Sequence, residues 1–244
     1  MIKLFLAIAL LTLFTSCSKK ESDPKMLVIG TSVDNPPFEF YHNGEMTGFD
    51  IEFGKILAKK LNREAKFIDM SFDTIIAALQ SKKIDIALAA ISPTEERAKS
   101  VDFTCQYHES SSVLVTPGFT DVTDFKKLHG QIVGVQLGST HEHYAKAIFK
   151  KYVNAEIRSL GKVTDLIQEL RVQRIAGLIT GIAEADKIIE MNPSFKAIKL
   201  PESLGGEAVA LPKDSRLTKV IGDIIITLEA DGTLEQLRHK WKLH

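Results

Sequence analysis

Arg97 is the side chain best placed in the sequence to bind an anion. It stands three residues after Thr94, a good N-cap, which predicts a short helix over 95–99 directly after a buried apolar run. The planar guanidinium of an arginine matches a carboxylate through two parallel hydrogen bonds. Taken alone, however, the sequence favours a simpler alternative, a solvated arginine that pairs with Glu95 or Asp102.

The turn Gly138-Ser139-Thr140 forms a second anion-binding pattern, at the start of a helix predicted over 140–152. A glycine turn that leads into a helix presents free backbone N–H groups at the positive end of the helix dipole. Ser139 and Glu142 also have the spacing of a capping box, in which the serine caps its own helix. Both roles can hold at once, because Thr140 supplies additional donors.

Sequence motifs for catalysis, nucleotide binding and metal binding are missing. The chain has no G-x-x-x-x-G-K-[ST], no G-x-G-x-x-G and no nucleophile elbow that would support a Ser-His-Asp triad. His141 and His143 are two residues apart on the predicted helix, so their side chains diverge. Ala145 occupies the position where H-E-x-x-H requires its second histidine. We therefore expect no cofactor, no metal and no enzymatic activity.

Composition and charge limit the partners of the protein. The 244 residues include 31 basic and 31 acidic side chains, interleaved along the chain, so no basic stripe is available for nucleic acid. Hydrophobic residues make up 44% of the chain, enough for one or two cores. A membrane-spanning bundle would need several apolar runs of about 20 residues, which are absent from the sequence. We expect a monomer that does not bind nucleic acid.

The first 25 residues predict export. Lys3 precedes an almost unbroken apolar run that ends at Phe14 and is too short to span a bilayer. Cys17 follows small polar residues and precedes a polar stretch, which resembles a bacterial lipobox with Phe14 where leucine is usual. We expect residues 1–16 to be removed as a signal peptide and 17–25 to form a tether lipidated on Cys17, on the periplasmic side of a membrane. The alternative is a soluble exported protein.

From Met26 onward the chain alternates short apolar runs with amphipathic stretches. This β-α-β-α order favours an α/β fold with largely parallel strands, and it stops at Pro117-Gly118 and then restarts. Ligands bind such folds at the carboxyl ends of the strands, so a cleft between two lobes is the expected site. The predicted strands are 26–31, 84–91, 110–116, 131–136, 155–160, 175–179 and 207–211. The predicted helices are 49–61, 72–79, 95–99, 140–152, 163–170 and 217–228, with a last short helix that ends at Trp241.

Four stretches of the mature chain, in this order, resemble the polar amino acid binding proteins of ABC importers, the bacterial extracellular solute-binding protein family 3. They are Ile29-Gly-Thr with Pro36-Pro-Phe-Glu-Phe40 and Gly48-Phe-Asp-Ile51; Lys83-Ile-Asp-Ile86 with Ile91-Ser-Pro-Thr-Glu-Glu-Arg97; Val133-Gly-Val-Gln-Leu-Gly-Ser-Thr140; and Asp231-Gly-Thr-Leu234 with Lys240-Trp241. The resemblance covers essentially all of the mature chain. It implies a type II periplasmic-binding-protein fold, in which two α/β lobes joined by two hinge strands close on a ligand.

The resemblance also implies a domain plan and a function. Lobe one would comprise residues 26–114 and 210–244, and lobe two residues 118–204. The implied function is that of a substrate-binding protein, which captures a small polar amino acid with a basic or amide side chain. The protein would then deliver this ligand to an ABC permease in the inner membrane.

Three groups of residues acquire a role in holding the ligand carboxylate. The family uses an arginine at the position of Arg97 as the clamp, so the resemblance favours this role over a surface ion pair. Ser92 would add a donor from the same lobe, or it is a simple turn serine. Ser139 and Thr140 would hold the carboxylate from lobe two.

The walls of the implied cleft are partly altered. Phe72 begins a predicted helix where the family stacks an aromatic ring on the ligand, although a core phenylalanine is the simpler alternative. Phe38 is a second candidate wall. Asn35 stands where the family has a tyrosine, and Ala90, like Ala89, stands where small hydroxyl residues are usual.

The most consequential departure is Gly181, which stands where the family has the acid that neutralises the α-ammonium of the ligand. A buried ammonium without a counter-charge is costly. Glu184 or Glu207 can substitute for this acid, or the ligand is not an ordinary α-amino acid. If the position is truly vacant, we expect Gly181→Asp to restore a charge pair and to tighten binding.

Two alternatives keep the same scaffold. An exported enzyme similar to cyclohexadienyl dehydratase would also present an arginine to carboxylate substrates, and it would need a general acid such as Glu184, Glu207 or His141. A surface lipoprotein that senses a ligand or adheres without transport is the other.

Overall fold

The computed structural model describes residues 26–152, 154–200 and 205–243. The predicted signal peptide, Cys17 and the tether lie outside the described residues. The described strands are β1 (Met26–Thr31), β2 (Phe40–His42), β3 (Glu45–Thr47), β4 (Glu64–Asp69), β5 (Ile86–Ala87), β6 (Val101–Glu109), β7 (Ser112–Pro117), β8 (Ile132–Gln136), β9 (Glu156–Leu160), β10 (Gly177–Gly181), β11 (Phe195–Lys199) and β12 (Gly206–Pro212). The described α-helices are α1 (Phe49–Lys60), α2 (Ile75–Gln80), α3 (Glu95–Ala98), α4 (Thr140–Tyr152), α5 (Val163–Arg171), α6 (Ile182–Met191), α7 (Arg216–Ala230) and α8 (Thr233–Lys240).

The first large sheet has the strand order β4-β1-β5-β12-β6. Strand β1 is parallel to β4 and β5, whereas β12 is antiparallel to β5 and β6. Helix α1 places Phe49, Phe53 and Leu57 in the core, at the helical spacing that the sequence predicts. Helices α7 and α8 complete this core, and α2 packs on a second cluster that contains Ile75 and Leu79.

The second large sheet has the order β11-β7-β10-β8-β9. Strand β8 is parallel to β9 and β10, whereas β7 is antiparallel to β10 and β11. Two hydrophobic clusters pack against the sheet: one contains Tyr144 and Ile148 of α4, and the other contains Leu166 of α5 and Ile188 of α6. Each sheet is therefore mixed rather than largely parallel, because the strands that enter from the other sheet run against the parallel ones.

The chain changes sheet between β6 and β7 and returns between β11 and β12. Strand β7 begins at Ser112 and β12 at Gly206, so residues 112–114 lie in the second sheet and 206–209 in the first. We propose to place the lobe boundaries at these two changes. This assignment moves both predicted boundaries, at 114 and 210, by a few residues.

Several predicted elements are confirmed, and one strand is wrong in length. Strand β1 and helix α4 have the predicted bounds, and Thr94 caps α3 by accepting a hydrogen bond from the Arg97 N–H. The strand predicted over 84–91 is reduced to the two residues of β5. The chain leaves the ladder because Ala90 adopts a φ of 45° and donates its N–H to Asp50 Oδ2 at 2.8 Å.

The two lobes contact each other directly. Lys162 Nζ lies 3.3 Å from Asp69 Oδ1, and the Val163 N–H donates to Asp34 Oδ2. Arg97 Nη2 donates to the Gly138 carbonyl at 2.9 Å. Within the described residues, none of the helices is both long enough and apolar enough to cross a bilayer.

Candidate functional site

A cavity lies between the two sheets, at the carboxyl ends of their parallel strands. Gln136 ends β8 and Thr180 lies near the end of β10, and both line this cavity. This is where ligands bind in open α/β sheets. Eight of the ten predicted ligand-binding residues line it: Asn35, Phe72, Ala90, Ser92, Arg97, Ser139, Thr140 and Glu184.

The Arg97 guanidinium bridges the lobes without a carboxylate partner. Nη1 donates to the Ser92 carbonyl at 2.6 Å and Nη2 to the Gly138 carbonyl, which leaves three of its five N–H groups for other acceptors. No described carboxylate lies within 4.0 Å of it. Burial lowers the pKa of Arg97 to about 10, so the guanidinium stays charged at neutral pH. The simpler alternative fails for Asp102, because Lys213 Nζ lies 2.9 Å from its carboxylate.

Phe72 both packs in the core and faces the cavity. Only 7% of its surface is exposed, and its ring centroid lies 5.4 Å from Arg97 Cζ. This distance is within the range of a cation–π interaction. The ring therefore holds the guanidinium in place from one side, while the Ser92 and Gly138 carbonyls orient its edge.

The start of α4 has the capping geometry that the sequence predicts. Ser139 Oγ accepts a hydrogen bond from the Glu142 N–H at 3.2 Å and donates to the Gln136 carbonyl at 2.7 Å. Glu142 Oε2 accepts from the Gly138 N–H at 2.7 Å. The Ser139 hydroxyl is thus committed to its helix. The backbone N–H of Thr140, at the first turn of α4, is a donor that α4 can offer to a ligand.

Glu184 occupies the space beside Gly181. A Cβ atom added to Gly181 would overlap Glu184 Oε2 and lie 3.0 Å from Glu184 Cδ. Glu184 Oε1 accepts a hydrogen bond from Asn35 Nδ2 of the other lobe at 3.4 Å, whereas Oε2 has no hydrogen-bond partner among the described residues. Burial, reinforced by the charge of Asp50, raises the pKa of Glu184 to about 7.

Glu207, on β12, adds a second buried carboxyl group to the same cavity. It is 3% exposed, and its Oε2 atom has no hydrogen-bond partner among the described residues. The Ser110 side chain donates a hydrogen bond to it. Burial, followed by the charges of Glu184 and Asp50, raises the pKa of Glu207 well above its usual range. Among the described residues, one cavity therefore combines a guanidinium without a carboxylate partner and two carboxyl groups without a cationic partner.

Two more acidic side chains lie behind this cavity in the first lobe. Asp50 Oδ2 accepts hydrogen bonds from the Ala90 N–H at 2.8 Å and from the Tyr107 hydroxyl at 3.1 Å. Burial raises the pKa of Asp50 to about 6. Burial and the neighbouring Asp50 raise the pKa of Glu39 well above its usual range. These groups increase the negative potential behind Glu184 whenever they are ionised.

Some residues lie elsewhere than predicted, and others were missed. Phe38 does not line the cavity: it is fully buried in the first core, where its ring contacts Phe49 and His108. Gly181 does not line it either, because the Glu184 carboxyl lies beside it. The residues that sequence reasoning missed are Ser110, Ser112, Gln136, Val163, Leu166, Leu178, Ile179, Thr180 and Gly205. Several of these end a strand or stand where the chain changes sheet, which is the signal that would have found them.

His141 lines the cavity close to Arg97. Burial and the positive charge of Arg97 lower the pKa of His141 to about 4, so its imidazole is neutral at pH 7. The described residues contain no group of three or more His, Cys, Asp or Glu side chains arranged to hold a metal ion.

Comparison with known protein families gives a match that covers the whole folded region. Residues 27–244 match the family described as bacterial extracellular solute-binding proteins, family 3. The chain belongs to this family. The solute-binding protein is 35% identical to the arginine-binding extracellular protein ArtP of Bacillus subtilis (strain 168) over 230 residues, which cover 93% of this chain and 90% of the relative.

Solved structures show that this solute-binding protein has the two-lobe type II fold. An ancestral arginine-binding protein bound to arginine is similar with a TM-score of 0.84 and 35% identity, covering 88% of this chain and 97% of that chain. A second similar structure is an ancestral amino-acid-binding protein, described as a precursor of cyclohexadienyl dehydratase. It has a TM-score of 0.82 and 30% identity, with coverage of 88% and 95%.

Proposed function

We propose that the protein is the substrate-binding component of an ABC importer and that it captures a basic amino acid between its lobes. The observation that carries this proposal is the distribution of charge in the cavity. Arg97 supplies a cation without a carboxylate partner, and Glu184 and Glu207 supply carboxyl groups without a cation. A zwitterion with an additional positive charge complements this arrangement. The arginine-binding relatives support the same ligand class.

Each half of the ligand has a defined partner in this proposal. The Arg97 guanidinium and the Thr140 N–H hold the ligand carboxylate, with Phe72 as the wall beside it. Glu184 holds the α-ammonium in place of an acid at position 181. Because Arg97 and Thr140 come from different lobes, a ligand bound to both favours the closed arrangement.

Export and anchoring complete the proposal. Residues 1–16 act as a signal peptide, Cys17 carries the lipid, and residues 17–25 tether a monomeric receptor to the periplasmic side of a membrane, close to its permease. Acyl chains stabilise membrane attachment by about 0.8 kcal/mol for each buried CH₂ group. The apolar run before Cys17 and the polar stretch after it support this assignment.

A second candidate function is dehydration of a carboxylate substrate by the same cavity. It is favoured by the raised pKa of Glu184, which suits a general acid, and by the similarity to the dehydratase precursor. His141 is a poorer acid, because its low pKa leaves it without a proton to donate at pH 7.

A binding screen tests the proposal. The chain from Ser18 onward contains both sheets and their covering helices, and it is used for thermal shift with all twenty amino acids and for calorimetry with L-arginine. We expect arginine to raise the melting temperature and to bind with one-to-one stoichiometry. Prephenate turnover is measured in parallel. Prephenate turnover without amino acid binding would favour the dehydratase. A protein that neither binds an amino acid nor turns over prephenate would contradict both proposed functions.

A further inference from the structure

Glu184 and Glu207 come together from different lobes. Glu184 lies in the first turn of α6, and Glu207 lies on β12, which belongs to the first sheet. Both side chains are at least 95% buried and both line the cavity. Each retains one carboxylate oxygen without a hydrogen-bond partner among the described residues. These two oxygens are therefore available to accept hydrogen bonds from a ligand in this part of the cavity.

The described part of the chain supplies no cation to this pair. No salt bridge within 4.0 Å joins Glu184 or Glu207 to a described lysine, arginine or histidine. Two buried carboxylates close together repel each other, so at least one of them is stable only when it carries a proton. An ammonium group between them would supply both the missing charge and the missing hydrogen-bond donors.

We propose that Glu184 and Glu207 form a proton-exchange subsite, in which the cationic group of the ligand replaces a proton that the carboxyl pair carries in the free protein. The inference rests on the proposed function and adds a coupling between ligand affinity and pH. On binding, an O–H bond of the carboxyl pair breaks and the proton passes to the bulk buffer. The resulting carboxylate forms an ion pair with the ligand.

The groups that face the pair support this direction of exchange. From the first lobe, Asp50 adds negative charge, Glu39 does so only when it is ionised, and Asn35 donates one hydrogen bond to Glu184. Ser110 donates to Glu207, and Tyr107, whose pKa is raised well above its usual range by burial, contributes no charge.

The basic groups near the cavity do not titrate near pH 7. Burial lowers the pKa of His141 and of His108 to about 4, and Arg97 stays charged. Burial raises the pKa of Glu184 to about 7, and the pKa of Glu207 is also raised. Proton exchange near neutral pH is thus expected from the acidic groups, of which Glu184 and Glu207 line the cavity whereas Asp50 and Glu39 do not.

Calorimetry with L-arginine measures the exchange directly. The binding enthalpy of the chain from Ser18 onward is recorded at pH 7 in phosphate, HEPES and Tris, whose ionisation enthalpies differ. The slope against ionisation enthalpy gives the number of protons released. We expect the release of about half a proton or more for each arginine bound. Affinity should also rise between pH 6 and pH 8, by up to about tenfold per pH unit for each proton exchanged.

Glutamine variants assign the proton to the pair. Glu184→Gln and Glu207→Gln keep the side-chain size, and each should reduce the number of protons released and flatten the pH dependence of affinity. Glu190→Gln is the matched control, because Glu190 is an exposed residue of the same helix α6. It should leave the proton release unchanged.

The outcomes separate this inference from the proposed function. Arginine binding with no proton release in the wild-type protein would overturn the exchange and leave the proposed function intact. Proton release that persists unchanged in both glutamine variants would likewise overturn the exchange alone. Absence of arginine binding to the wild-type protein would contradict the basic ligand class and the exchange together.

Discussion

The carboxyl group of Glu184 lies beside Gly181, in the space that a side chain at position 181 would occupy. Three residues and nearly one turn of α6 separate the two positions, so a glutamate at the later one reaches back to the start of the helix. A larger residue at position 181 would therefore clash with the Glu184 carboxyl in its present position. In the proposed function, Glu184 therefore supplies the acid that position 181 lacks.

This relationship reverses the effect expected for Gly181→Asp. The new side chain would displace the Glu184 carboxyl and add a like charge beside it, so we expect affinity for L-arginine to fall about tenfold or more, or about 1.4 kcal/mol. Calorimetry measures the change. Gly222→Asp is the matched control, because a Cβ at Gly222 meets no atom within 4 Å. Tighter binding by Gly181→Asp would mean that Glu184 does not serve as the counter-ion.

Arg97→Ala tests the other end of the cavity. The change removes the cation expected to hold the ligand carboxylate, together with the hydrogen bonds to the Ser92 and Gly138 carbonyls. Loss of one partner of a desolvated charge pair costs about 2 to 5 kcal/mol, so binding should weaken by more than tenfold. Arg216→Ala, at an exposed position on α7, should bind normally. Full affinity in folded Arg97→Ala would exclude the clamp.

Local signals in the sequence were sufficient to predict the helix caps near Arg97 and at the start of α4. The Thr94 cap and the Ser139 cap each depend on residues within one helical turn, and both occur as predicted, although Glu142 accepts from the Gly138 N–H rather than from Ser139 as in a full capping box. Helix α4 was also predicted correctly, because its apolar residues repeat at helical spacing. Such features require no knowledge of the tertiary structure.

Tertiary relationships were harder to predict. Strand β6, which pairs with β12, was missed although its apolar residues Val101, Phe103, Cys105 and Tyr107 alternate with polar ones, the spacing of a strand. The pairing of Glu184 with Glu207 depends on lobe closure, and the sequence left the two as alternatives. The core position of Phe38 likewise depends on the packing of α1 and Tyr107 around it.

Lipidation is tested on the full-length protein in a bacterial host. We expect the wild-type protein to incorporate an alkyne-labelled fatty acid and to sediment with membranes, because Cys17 follows a signal-like apolar run. Cys17→Ser should abolish labelling and release the protein from the membrane fraction. Cys105→Ser is the control, since Cys105 is an exposed thiol on β6 within the folded lobe. Labelling that survives Cys17→Ser would refute the anchor.

The buried carboxyl groups predict a stability that decreases as pH rises. Folding raises the pKa of Asp50 from 3.8 to about 6 and of Glu184 from 4.5 to about 7, and it raises that of Glu39 well above its usual range. At a pH between the unfolded and the folded pKa of each group, the folded protein binds more protons than the unfolded chain. The free energy of unfolding must therefore fall with increasing pH, by about 1.4 kcal/mol per pH unit for each such group.

Groups with lowered pKa values act in a different range. Asp102 and Glu142 are stabilised as carboxylates by lysine neighbours, so their contribution is lost only as pH falls below about 4.5, the ordinary range of carboxyl groups. Folding lowers the pKa of His141 and of His108 from 6.5 to about 4, so these histidines make stability rise with pH below about 6.5. Urea unfolding between pH 6.5 and pH 8 thus reports mainly the buried acids.

Glu39→Gln isolates one of these acids. The amide keeps the shape of the side chain but cannot ionise, so the variant should be less sensitive to pH and more stable than wild type at pH 8 by about 1 kcal/mol or more. Glu64→Gln, at an exposed position on β4, should match the wild type at every pH. Because Asp50 and Glu184 remain, the slope of Glu39→Gln should decrease without vanishing. Wild-type stability that rises from pH 6.5 to pH 8, or a Glu39→Gln profile identical to wild type, would show that these carboxyl groups are not held protonated by the fold.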